Sequence, residues 1–205
     1  MKLYGFPSST NVWMVRAIAA HLNLPLTLEL VHPLKGELST PEFLKLNPAG
    51  RVPVLVDGDF VLWESNAIAQ YLASQQPNSL YPEDIKIRAD VMRWQCWQMA
   101  HWKMGCQPMQ YEHLIKPLLR LGKPDSQVVE QAIATFHKDA GVLEGWLSDR
   151  AYLVNESLTL ADFAVATFLL YAEPAHLPLE SYPNIQRWYA QVRALPAWQE
   201  TAPKK

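Results

Sequence analysis

The sequence is poor in cysteine, in net charge and in long apolar runs, and each shortage removes a class of function. Only two cysteines occur in 205 residues, Cys96 and Cys106. They fall in one helical stretch, where a rise of ~1.5 Å per residue sets them roughly 15 Å apart, too far for a disulfide. There is no C-x-x-C pair, and the histidines, at positions 21, 32, 101, 113, 137 and 176, show no ligand spacing such as H-E-x-x-H. No metal site is expected. The formal charge is −2 with basic residues scattered, which leaves no electrostatic footprint for nucleic acid or an anionic membrane. No apolar run approaches the ~20 residues of a membrane span. The opening MKLYGFPSST enters a strand pattern at once, without a secretory leader's apolar stretch and cleavage site, so a cytoplasmic location is expected. There is no internal repeat and no low-complexity tract.

What is present is apolar side chain: 49% of residues are hydrophobic, enough for the core of one large domain or two small ones. The chain is organised around Arg51 to Ala67, RVPVLVDGDFVLWESNA. Val52, Val54, Leu55 and Val56, then Phe60, Val61, Leu62 and Trp63, favour extended backbone, and Asp57-Gly58 between them supplies the positive φ of a tight hairpin. Pro53 opens the first strand, where its missing N–H does least harm. Glu64-Ser65-Asn66 then starts a helix with Ala67, Ile68, Tyr71 and Leu72 at helical spacing. If Val52-Pro53 is cis, the Val52 N–H and C=O lose their sheet partners and can pair with another peptide, while Ser65 and the free N–H groups of the helix start suit a carboxylate. The same residues also make sense as a plain hairpin followed by a Ser-capped helix.

Before this stretch, Lys2 to Phe6 is a strand, Pro7 to Asn11 a turn dense in capping residues, and Val12, Val15, Ile18, Ala19 and Leu22 the stripe of a helix ended by Asn23-Leu24-Pro25. Leu26 to Val31 alternates as a second strand, so the order is βαβ and then ββα, with the first two strands parallel. SQQPNSLYPED, from Ser74, reads as a linker. Helical patterns follow over about 85–106, from Met109 with a disturbance at Pro117, and over 126–147, 160–172 and 184–195. Thr159 and Asp162 have the spacing of a capping box, a folding device.

The pattern NPAGRVPVLVDGDFVLWESNAI, with MKLYGFPSSTNV at the start, resembles the cytosolic glutathione transferases, in particular the serine-type phi and theta classes and their bacterial relatives. The resemblance is strong over residues 1–75 and looser beyond. It implies an α/β thioredoxin-like glutathione-binding domain over residues 1–75, a linker over 76–84, and an all-α helical-bundle domain over 85–205 that forms the electrophile pocket. It implies glutathione as cosubstrate, a homodimer, and conjugation of the glutathione thiolate to small apolar electrophiles, with peroxidase activity as an addition.

Residue by residue, Ser9 aligns with the serine that donates to the glutathione sulfur, although Ser8, Thr10 or Asn11 could equally cap the helix. Val52 and Pro53 align with the backbone clamp, and Glu64 and Ser65 with the γ-glutamyl contacts. No cysteine stands at position 8 or 9, so a covalent adduct with glutathione cannot form in this loop, and conjugation or peroxide reduction ranks above thiol transfer. One departure is clear: aligning on Phe43 and Pro48 puts Leu38 where serine-type members carry a histidine for the glycine carboxylate. Arg51, with Lys35 as a weaker candidate, is the nearest cation to replace it. Trp97, His101, Met104 and Tyr111, at spacings close to one helical face with Trp94, are candidates for the electrophile pocket, or else for core or interface. The alternatives are a non-catalytic interaction module on this fold, or a glutathione-dependent isomerase, lyase or dehalogenase.

Overall fold

A computed structural model describes residues 1–203. Met1–Tyr81 and the stretch from Ala194 onward form one compact unit, and Pro82–Arg193 the other.

In the first unit, β1 (Lys2–Gly5), α1 (Thr10–His21) and β2 (Thr27–Leu30) make the βαβ crossover. Two 3-10 turns, Pro33–Lys35 and Glu37–Ser39, lead into α2 (Pro41–Leu46), followed by β3 (Val54–Asp57), β4 (Phe60–Trp63) and α3 (Ser65–Ala73). The sheet order is β2-β1-β3-β4, with β1 parallel to β2 and antiparallel to β3, and β3 antiparallel to β4. This is the thioredoxin-like order expected. The strands are shorter than their apolar runs, because Leu26 and Val31 fall outside the ladder. The hairpin is shifted by one residue: Asp57 pairs with Phe60, so Gly58 and Asp59 form the turn and Gly58 supplies the positive φ, at 62°. Leu3, Val12, Val15, Ile18, Leu55, Ile68 and Leu72 are fully buried and form the core between sheet and helices.

The expectation that everything after residue 85 belongs to the helical domain needs correction at the C-terminus. Helix α10 (Pro196–Thr201) packs on α1, with the Trp13 and Trp198 rings 4.2 Å apart, the Trp13 indole donating to Thr201 Oγ1 at 3.0 Å and Arg16 donating to the Thr201 carbonyl at 3.2 Å. A buried indole and a partly buried guanidinium each need an acceptor, and Thr201 supplies both.

The second unit is helical. Its first long rod runs α4 (Ile85–Trp97), a π turn (Gln98–Trp102), α5 (Lys103–Gln110), a second π turn (Tyr111–Ile115) and α6 (Lys116–Leu118). Helices α7 (Ser126–Trp146), α8 (Leu160–Ala166) and α9 (Pro183–Arg193) follow. Trp102, Phe136, Leu143, Phe163, Val165 and Trp188 are fully buried at its centre. The capping box forms as expected. Asp162 accepts from the Thr159 N–H at 2.8 Å and its hydroxyl at 3.1 Å, and also from Leu153 N–H at 3.0 Å and the Trp188 indole at 2.9 Å. Burial nonetheless pushes the Asp162 carboxyl up to about 6. Both cysteines are free; burial pushes the Cys106 thiol well up, which makes it unreactive.

Candidate active site

The strand directions gather the candidate residues. Gly5, the last residue of β1, pairs with Leu30, the last of β2, while Tyr4 pairs with Val54, the first of β3, and Val54 with Trp63, the last of β4. The Ser9 turn, the turn carrying Lys35, the Arg51-Val52-Pro53 stretch and Glu64-Ser65 therefore all leave or enter the sheet at one end. Positions scattered over 57 residues of sequence become neighbours by topology, which spacing alone does not reveal.

Ser9 is the half-buried N-cap of α1, with extended backbone (φ −71°, ψ 122°). Its Oγ accepts from Val12 N–H at a long 3.5 Å. That is a weak cap, and it leaves the hydroxyl proton free to be donated elsewhere.

The Val52-Pro53 peptide is cis, the only cis bond among the described residues. Pro53 is buried against the sheet and β3 begins one residue later, so Pro53 lies just outside the strand it was expected to open. Among the described residues no intrachain hydrogen bond reaches the Val52 N–H or C=O.

Glu64 holds φ at +73° and ψ at 113°, a conformation that costs a non-glycine residue of order 1–3 kcal/mol and that local sequence did not signal. It is exposed and makes no cap bond, so α3 starts without a side-chain cap at its first residue, Ser65, itself 7% exposed. The nine-residue α3 has no acidic residue within its first turn, and the positive end of its dipole suits an anion.

Leu38 is packed into the small cluster of Val31, Phe43 and Val54 with Tyr4, Leu46 and Val52, so it fills core and donates nothing. Arg51 is exposed and Lys35 is exposed on its 3-10 turn. The Arg51 carbonyl accepts from Asn47 Nδ2 at 2.8 Å, and Asn47 is a member of this end of the sheet that sequence reasoning passed over. Its buried amide inside the N-P-A-G-R motif was the available signal.

The helical candidates separate. Trp97 sits edge-on to Trp94 at 5.1 Å and stacks on Trp102 at 5.8 Å, within the aromatic cluster. Met104 and Tyr111 are 56% and 44% exposed, and His101 is exposed. His101 lies close enough to Asp139 to oppose the rise that burial imposes on that carboxyl. The single apolar face expected from regular spacing assumed an unbroken α-helix. Each π turn adds a residue to its turn and rotates the residues beyond it about the helix axis, which is why Trp94 is buried while Met104 and Tyr111 are exposed. Among the described residues no group of three or more His, Cys, Asp or Glu could hold a metal ion, and no helix is long and apolar enough to cross a membrane.

The thioredoxin-like unit thus brings the cis Val52-Pro53 peptide, the unpaired Val52 backbone groups and the start of α3 to one end of its sheet. Residues 1–74 match the family described as glutathione S-transferase, N-terminal domain, and residues 102–196 the one described as glutathione S-transferase, C-terminal domain. The chain is 32% identical over 205 residues to a probable glutathione S-transferase of Oryza sativa subsp. japonica, covering 98% of this chain and 95% of the relative. Among solved structures, a glutathione transferase from Populus trichocarpa superposes with a TM-score of 0.91 at 28% identity, over 98% of this chain and 96% of that one. A theta class glutathione S-transferase from Xanthomonas axonopodis pv. citri, with glutathione bound, gives 0.89 at 28% identity over 100% and 97%. The chain belongs to the glutathione S-transferase family.

Proposed function

We propose that this protein is a glutathione transferase that conjugates the glutathione thiolate to small apolar electrophiles and also reduces organic hydroperoxides. The observation that carries the reading is the meeting, at one end of the sheet, of the weakly engaged Ser9 hydroxyl, the unpaired Val52 peptide and the uncapped start of α3. Glutathione lies extended along Val52, its γ-glutamyl end at Glu64 and Ser65, its glycine carboxylate at Arg51 with Lys35 nearby, and its sulfur at Ser9. The Ser9 hydroxyl donates to the sulfur and favours the thiolate over a thiol of pKa ~8.5, each unit of lowering being worth ~1.4 kcal/mol. The thiol proton goes to solvent. With an aryl halide the thiolate forms the C–S bond as halide leaves.

In this reading Trp97, His101, Met104 and Tyr111 belong to the side of the protein that meets the electrophile, the protein works in the cytoplasm, and residues 76–84 are the linker between its two functional parts. It assembles as a homodimer. In support, β4 is an edge strand with Phe60, Val61 and Trp63 exposed, and α4 exposes Ile85 and Met92 at heptad spacing.

Retention on immobilised glutathione, followed by assay of the eluted protein against an aryl halide and an organic hydroperoxide, tests the function. Binding with turnover of either substrate is expected; binding without turnover would point instead to an interaction module.

A further inference from the structure

The peptide that joins Arg51 to Val52 is gripped at one end only. Asn47, 3% exposed, is the C-cap of α2, and its side chain spans the loop ahead of Val52. Its Nδ2 donates to the Arg51 carbonyl at 2.8 Å, and its Oδ1 accepts from Ala49 N–H at 2.9 Å. Its backbone is fixed as well, the N–H donating to the Phe43 carbonyl and the C=O accepting from Gly50 N–H, both at 2.9 Å. Gly50 holds φ at +62°, and a Cβ there would stand 3.2 Å from the Leu38 carbonyl, so a side chain at this turn would be both strained and crowded.

A trans peptide is planar, with its C=O and N–H pointing in opposite directions. Arg51-Val52 is trans, since the one cis bond among the described residues lies a residue later. Drawing the Arg51 oxygen toward Asn47 therefore turns the Val52 N–H away from Asn47, and among the described residues no intrachain acceptor takes it. A hydrogen bond at the oxygen also polarises the amide and strengthens the donor at its nitrogen.

We propose that Asn47 is a positioning residue of the glutathione site: by holding the Arg51 carbonyl it aims the Val52 N–H at a backbone carbonyl of the bound tripeptide. This rests on the glutathione reading above. The position requires one group that donates and one that accepts from the same short side chain, which asparagine supplies, aspartate supplies only as acceptor, and alanine not at all.

The test compares the wild type with Asn47→Asp, which is nearly isosteric, by calorimetric titration with glutathione, turnover at saturating glutathione, and the pH titration of the bound thiolate. The expected result is a Kd for glutathione raised tenfold or more, turnover at saturation within twofold, and an unchanged bound-thiol pKa, because Ser9 is carried separately by α1. A folded variant with unchanged Kd, or one whose turnover and thiol pKa move together with Kd, overturns the proposal. If Asn47→Asp does not fold, the Val52 amide of labelled wild type decides: glutathione should shift its proton downfield and slow its exchange, and an unaffected amide overturns the proposal. Failure of the wild type to bind glutathione at millimolar concentration sinks the functional reading itself; binding by the wild type with no effect of the substitution sinks only the role of Asn47.

Discussion

At the scale of single residues, Ser9 and Arg51 carry separable tasks. Ser9 is held by a 3.5 Å contact to Val12 N–H, so losing its hydroxyl costs the helix little. Ser9→Ala should lower turnover ten- to a hundredfold, about 1.4 to 2.7 kcal/mol, with glutathione affinity nearly unchanged and a raised bound-thiol pKa. The absorbance of the bound thiolate against pH is the check; a pKa equal to that of the wild type would leave Ser9 as a cap alone. Arg51 is exposed, and with Leu38 consumed by the core no side chain at that position competes for the glycine carboxylate. Arg51→Ala should weaken glutathione binding by about 1.5 to 3 kcal/mol with a smaller effect on saturated turnover. Calorimetry with glutathione and its glycine-amide analogue tests this. Equal losses for the two ligands would show that Arg51 does not hold that carboxylate.

At the scale of elements, two buried or half-buried carboxylates hold helix starts in the helical unit. Glu144, on α7, takes the Asn184 N–H at 3.0 Å and its side-chain amide at 2.8 Å through one oxygen, and the Ile185 N–H at 3.0 Å through the other. It caps α9 from another helix. Glu144→Ala should cost about 1 to 3 kcal/mol in urea denaturation, and Glu144→Gln distinctly less because one carbonyl acceptor remains; equal costs would contradict the capping role. Asp162 gives a pH signature. Its carboxyl is pushed up to about 6 in the folded protein, from an ordinary value of 3.8. The folded state thus holds the proton more tightly than the unfolded chain between those values. The stability from this group is fully present below ~pH 4, is lost as pH rises toward 6, and amounts to about 3 kcal/mol across that window. Denaturation midpoints of wild type and Asp162→Asn at pH 4 and pH 6.5 measure it. The substitution should be destabilising at both, and the difference between the two proteins should shrink at the higher pH; a difference that grows would reverse the sign of the linkage.

At the scale of the whole molecule, the sequence was most informative where local physics acts alone. Runs of β-branched, aliphatic and aromatic residues either side of a glycine turn located β3 and β4, and the Thr159 and Asp162 spacing located a helix start. It was least informative where tertiary contact decides. Nothing local to Trp198 or Thr201 says that the chain end returns to α1, because the acceptors it supplies satisfy Trp13 and Arg16, more than 180 residues earlier. The two π turns were invisible for the same reason, since residue spacing carries no sign of an added residue per turn. The strained Glu64 also escaped notice, a glutamate being an unusual occupant of a left-handed φ.

The central claim is that this end of the sheet binds glutathione and ionises its thiol. The most direct measurement is the thiolate absorbance of glutathione added to the wild-type protein, titrated against pH. The account predicts saturable binding with the bound thiol ionising at least one pH unit below the ~8.5 of a free thiol. Saturable binding with an unshifted thiol, or no thiolate signal near neutral pH, would contradict it.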